Sequence, residues 1–132
     1  MRLIPLLILL SLAPAVARTQ QADSAGISAC HTVYELHASD PKLMVDRPVL
    51  ALTVGPFPAH QPRHMPGDSL PLTWSVDTSG MIEMNTVQMA PDVDRVYRHE
   101  LLASLPRWRF RPALVHGCLV PAYHRVVIMV GK

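Results

Sequence analysis

The sequence predicts an α+β fold: a small two-layer sandwich in which an antiparallel sheet of about three to four strands packs against one main helix. Three observations carry this. Leu70, Leu72, Trp74 and Val76 alternate with Pro71, Thr73, Ser75 and Asp77, the period of two that gives a strand one apolar face. Val93, Tyr97, Leu101 and Leu105 recur every four residues, with Val96 and Leu102 widening the stripe, as in a helix with one buried face. The run from Leu119 to Val130 is again apolar and rich in β-branched residues, as strands are.

At the start of the chain, Met1 and Arg2 precede an apolar run, Leu3 to Leu12, and Ala15 and Ala17 supply the small residues of a signal-peptide cleavage site. Residues 1–17 are therefore expected to be a signal peptide, removed before Arg18. A spanning helix needs about 20 apolar residues. This run falters at Pro14 and stops at Arg18, so no stable membrane span is expected after cleavage. Ile27, Ser28, Ala29 and Cys30 have the composition of a lipidation box, but Arg18 and Asp23 separate them from the apolar run. Cleavage removes Arg2 from the twelve basic residues and leaves ten acidic ones untouched, a near-neutral balance that gives no reason to expect nucleic acid as a partner. An exported chain meets oxidising conditions, so Cys30 and Cys118 are expected to pair.

Residues 18–29 are small and polar without a period and read as a mobile leader. Together with residues 30–47, which alternate weakly, they form an N-terminal extension to a domain at 48–132. Pro41 and Pro48 oppose a long helix here. Val49 to Gly55 is the first strand. Prolines 56, 58, 62, 66 and 71, with Gly67 among them, keep the following stretch in extended segments of an ordered loop. The strand from Leu70 to Val76 runs into the turn formers Asp77, Thr78, Ser79 and Gly80 and returns through Met81 to Val87, which predicts a β-hairpin. Ile82 and Met84 share one parity and Val87 and Met89 the other, so a bulge is expected near Asn85. Asp92 or Asp94 caps the helix, and Pro106 ends it. Arg107 to Arg111 then reads as a short extended piece with Trp108 and Phe110 inward and Arg107, Arg109 and Arg111 outward. Pro112 and the tight pair His116 and Gly117 lead into the last strand. Its residues Val126 to Val130 are apolar at both parities, which predicts a central strand or one covered on both faces.

Seven histidines and seven methionines raise a second reading, a copper- or zinc-binding protein. His60, His64 and Met65 sit together in the proline loop, Met81, Met84 and Met89 along one hairpin arm, and His116 beside Cys118. Their spacings match no recognised ligand pattern, and strand methionines commonly fill cores, so neither metal nor cofactor is expected. Ser69, Ser75, Ser79 and Ser104 lack the elbow of a hydrolase nucleophile. His99 and Glu100 are helix neighbours whose side chains diverge. No catalytic residue, and no enzyme, is expected.

Several landmarks, in order, resemble the C-terminal domain of the TonB family, the energy-transducing proteins of Gram-negative envelopes. Pro56, Phe57 and Pro58 stand where the family has a proline-tyrosine-proline-like segment, Val76, Asp77, Gly80 and Ile82 match the hairpin, and the helix ends at Leu105. WRFRPALVHGCLVP, Trp108 to Pro121, is similar to the family's run of tryptophan, basic residue, phenylalanine, variable residue, proline and alanine, followed by glycine and a proline-bearing strand. The likeness covers residues 55–130.

The resemblance implies that Trp108, Phe110, Pro112 and Gly117 are structural. It also implies a periplasmic binding module whose last strand pairs with an extended peptide of an envelope protein or outer-membrane transporter, by strand addition. Val126, Ile128 and Val130, or their opposite-parity neighbours, would lie along that edge, with Phe57 and Pro58 nearby. The family's transducers keep an uncleaved membrane helix and a long proline-rich spacer. Even an uncleaved leader of roughly 30 residues here stretches only to about 100 Å, so energy transduction is not expected. Pro62 and Pro66 also fall where the family's first helix would lie. Arg107, Arg109 and Arg111 suit an acidic partner or anionic lipid headgroups, although a row of alternating charges is ordinarily a solvated face.

Overall fold

The alternating segment becomes the middle strand of the largest sheet. The computed structural model describes residues 17–62 and 69–129, with side chains from Gly26 onward. Its elements are α1 (Ala17–Ser39), β1 (Leu50–Thr53), β2 (Ser69–Val76), β3 (Gln88–Met89), α2 (Arg95–Ser104), β4 (Arg109–Arg111), β5 (Ala113–Val115), β6 (Cys118–Val120) and β7 (Ala122–Met129). The class is α+β. The largest sheet has the order β3-β2-β7, β1-β4 and β5-β6 form two-stranded ribbons, and every pairing is antiparallel.

β2 pairs with β7 along its whole length, from Ser69 opposite Met129 to Val76 opposite Ala122. The inward parity of β2, Leu70, Leu72, Trp74 and Val76, is fully buried and shares one core with Val93, Tyr97, Leu101 and Leu105. Trp108 and Phe110 complete that core. Their rings meet Trp74 edge-on at 5.8 and 6.0 Å. The buried Trp108 indole N–H donates to Ser104 Oγ at 3.1 Å, so its polar atom is satisfied where α2 ends. At the other end of α2 the Asp94 carboxylate accepts from the N–H groups of Val96 and Tyr97 and is the cap.

The hairpin turn is organised by Asp77. Its carboxylate accepts from the Ser79 N–H, the Ser79 hydroxyl and the Met81 N–H at 2.9, 2.6 and 2.9 Å. Burial works to raise the Asp77 pKa, but hydrogen bonds from the Ser79 hydroxyl and from the backbone of Met81, Ser79 and Gly80 outweigh it and hold the carboxyl below its ordinary value. Gly80 has φ of 82°, and a Cβ there would fall 2.0 Å from the Phe110 carbonyl oxygen, so only glycine lets β4 pass this close. The return arm pairs Ile82 with Val76 and then leaves the ladder for one 3-10 turn, Met84–Thr86, before β3 rejoins with Met89 opposite Leu72. The irregularity expected near Asn85 is this turn, in which the Thr86 hydroxyl accepts from Ser75 N–H and donates to the Glu83 carbonyl.

Three expectations are corrected. The run Leu119 to Val130 is not one strand, because Pro121 divides it into β6 and β7, and β6 pairs back on β5 through His116 and Gly117, with φ of 49° and 77°. Nor is β7 central or covered on both faces. It lies at the sheet edge with Tyr123, Arg125, Val127 and Met129 outward, and the last two are 44% and 72% exposed, so apolar character at both parities does not here signify burial on both faces.

The third correction concerns residues 18–29, expected to be irregular, and residues 30–39, where Pro41 and Pro48 are expected to oppose a long helix: both stretches are helical, as parts of α1. This helix turns Cys30, Val33 and His37 toward the body, a spacing of three and then four residues in which only Val33 is aliphatic, so no hydrophobic period betrays it. Cys30 and Cys118 form a disulfide with Cα atoms 5.3 Å apart, tying α1 to β6. His37 is buried, with its ring nitrogens 3.1 Å from the Val33 carbonyl and 3.3 Å from that of Met44. The helix stops two residues before Pro41. Among the described residues no helix is long and apolar enough to cross a membrane. Residues 1–16, nearly all of the expected signal peptide, lie outside the described residues.

Candidate functional site

The two edges of β7 differ in what their backbone groups meet. In an antiparallel strand the N–H and C=O of one residue point to the same side, and the side alternates along the chain. Tyr123 N–H donates to the Pro41 carbonyl at 2.7 Å, while its partner Ser75 sends its own N–H to Thr86 and receives Glu83 N–H on the far side of β2. Tyr123 therefore points away from β2, and so by parity do Arg125, Val127 and Met129. Among the described residues no strand pairs with that outer edge. Arg125, Val127 and Met129 thus offer an open row of donors and acceptors.

The proline-rich segment walls this edge. Residues 57–62 and the strand end Val126–Met129 line a cleft of about 420 Å³, with Tyr97 of α2 between them. Four consecutive strand residues of both parities can line one cleft only if it opens on the edge of the strand, not on a face. Prolines keep the wall extended, and aromatic contacts hold it. Phe57 packs edge-on against Trp108 at 5.2 Å, and His60 packs against Tyr97 at 6.1 Å with its Nδ1 3.4 Å from the Glu100 carboxylate. Burial pushes the Tyr97 phenol up from its ordinary pKa.

Of the residues singled out in the sequence for peptide binding, the structure brings Phe57, Pro58, Val126 and Ile128 together at this cleft, and Val130 lies outside the described residues. The side chains of Val126 and Ile128 turn inward and pack against the core, so the open backbone belongs to their opposite-parity neighbours. Tyr97 and His60 escaped attention as site residues. Tyr97 carries the signature of a helix core position, and the position of His60 depends on how the proline segment folds back.

Of the residues singled out as structural, Trp108 and Phe110 are buried, Pro112 separates β4 from β5 with its carbonyl 3.5 Å from an Arg47 guanidinium nitrogen, and Gly117 takes the positive φ of a tight turn. The Cys118 sulfur is committed to the disulfide and offers no thiolate beside His116, whose N–H instead donates to Asp46. Met81 and Met84 are exposed, Met89 packs on the core, and His64 and Met65 lie outside the described residues. Among the described residues no three histidine, cysteine or acidic side chains gather into a possible metal site.

No protein-family model matches the chain, and no curated protein matches it. What the fold and the site define is a small α+β domain with an open strand edge beside an apolar cleft.

Proposed function

We propose that the protein is a periplasmic peptide-capturing module, exported by residues 1–17, that receives an extended segment of an envelope protein or outer-membrane transporter as an added strand along β7. On this reading it works in the manner of the TonB-family domain that residues 55–130 resemble, without itself transducing energy. The observation that carries the reading is the outward backbone of Arg125, Val127 and Met129 beside the cleft. An added strand lies about 4.8 Å from its neighbour, and each new main-chain hydrogen bond contributes a net of about 0.5–1.5 kcal/mol. Alternate side chains of the guest would enter the cleft toward Tyr97 and Phe57 and supply selectivity.

Val127→Pro tests this. Val127 stands opposite Pro71 at a position whose N–H faces outward, so proline there removes a donor from the open edge and none from the β2 ladder. Extended peptides from outer-membrane transporters should bind Val127→Thr like the parent and Val127→Pro about tenfold or more weakly, with both variants folded. Equal affinity of a folded Val127→Pro would rule out strand addition at β7.

A further inference from the structure

A second open surface lies on the β1-β4 ribbon. Leu50 and Leu52 of β1 are 47% and 63% exposed. Residues directly opposite in a ladder share a face. Ala51 stands opposite the inward Phe110, so Leu50, opposite Arg111, faces outward with it. The register shift between Ala51 and Thr53 then sets Thr53 opposite Arg109 and leaves Leu52 exposed beside it. Arg107 precedes these two arginines in the turn that follows α2. Among the described residues no carboxylate is paired with any of the three. Arg109 is held in place by donating to the carbonyls of Pro106 and Trp108 at 2.7 and 2.9 Å, and Arg107 and Arg111 are exposed.

A solvated face needs the cations but not the aliphatic row, and a polypeptide partner would have to bring carboxylates for the arginines and apolar side chains for Leu50 and Leu52 together. The interface of an anionic bilayer meets both at once. Its phosphates accept from guanidinium groups, and its headgroup-acyl boundary takes aliphatic side chains. We propose that this ribbon is a peripheral docking face for an anionic phospholipid surface, with Arg107, Arg109 and Arg111 on phosphates and Leu50 and Leu52 entering the boundary. The face is distinct from the outer edge of β7 and does not depend on peptide capture there.

The test is co-sedimentation of the full chain with vesicles of phosphatidylcholine alone and of phosphatidylcholine mixed with phosphatidylglycerol. The apolar run Leu3 to Leu12 favours both vesicles alike wherever it is retained, so the readout is the ratio of the two partition coefficients. The parent should prefer anionic vesicles, and the triple replacement Arg107→Gln, Arg109→Gln and Arg111→Gln should lower that preference by about 100-fold at low salt. Leu50→Ser with Leu52→Ser should weaken binding to the anionic vesicles while leaving the charge intact. All the replaced side chains are exposed, and an unchanged circular dichroism spectrum certifies the fold. A parent ratio near one, a triple variant that keeps the preference, or binding to polyglutamate in place of vesicles would each overturn the proposal.

Discussion

Helices α1 and α2 bury opposite kinds of residue. α2 turns Tyr97 and Leu101 into a core that continues through Leu105, Trp108 and β2, so it is held by apolar area removed from water. Among its described side chains α1 turns in Cys30, Val33 and His37, so a covalent bond, an aliphatic contact and a histidine between two carbonyls hold it there instead. The first kind of attachment spreads over many side chains, and the second rests on one pair of sulfurs. Cutting that pair is the strongest way to break the comparison. Closing a loop across a separation of 88 residues is worth about 4 to 5 kcal/mol at most in chain entropy. In Cys30→Ser with Cys118→Ser the loss should fall on α1. Amide exchange should show protection lost across Ala17–Ser39 and kept in β2 and β7. Loss of protection in both regions together would mean that α1 belongs to the same cooperative unit as the sheet.

Emptying the core should do the converse. Trp108 is fully buried, touches Trp74 and Phe57, and satisfies its indole on Ser104. Trp108→Ala should cost about 3–5 kcal/mol by denaturant unfolding and shift every probe at once. It should also loosen the proline segment, because Phe57 loses the ring it packs on. A conservative Trp108→Phe that restores the shape but not the indole should recover most of the stability. A destabilisation below about 1 kcal/mol for Trp108→Ala would show that the aromatic cluster is not the centre of the body.

This contrast also explains what the sequence discloses. β2, α2 and the inward Trp108 and Phe110 are legible because burial there follows a period of two or four, and the turn at Asp77 and Gly80 is legible because its residue types have fixed conformational uses. α1 is not, since its inward stripe contains a cysteine and a histidine that no hydrophobic count detects. The position of β7 is misread for the opposite reason. Val127 and Met129 are apolar yet outward, and sequence hydrophobicity cannot separate a strand covered on both faces from one whose second face stays open. The site lies partly within reach: Phe57, Pro58, Val126 and Ile128 are found by their order along the chain, while Tyr97 and His60 join them only through tertiary folding.

The smallest effect separates two histidines, one in each region. His37 in α1 has a carbonyl at both ring nitrogens, whereas His124 in β7 lies among rings, 5.3 Å from Phe110 and 6.0 Å from Trp74 by centroid. Burial among those apolar rings lowers the His124 pKa from the ordinary 6.5, because the charged imidazolium loses hydration without gaining a partner. The unfolded chain therefore takes up this proton first. Well above pH 6.5 both states are neutral at this position and its contribution does not vary. As pH falls below 6.5 toward the folded-state value, the unfolded chain gains protons that the folded chain refuses, and stability declines. His124→Gln, polar but without a titrating ring, should remove that part of the decline and leave the rest of the profile parallel to the parent. Urea unfolding of both proteins across this range reads the difference directly. Identical slopes would mean that the His124 ring swings into solvent and protonates there at no cost, and that the aromatic cluster closes over Trp74 without it.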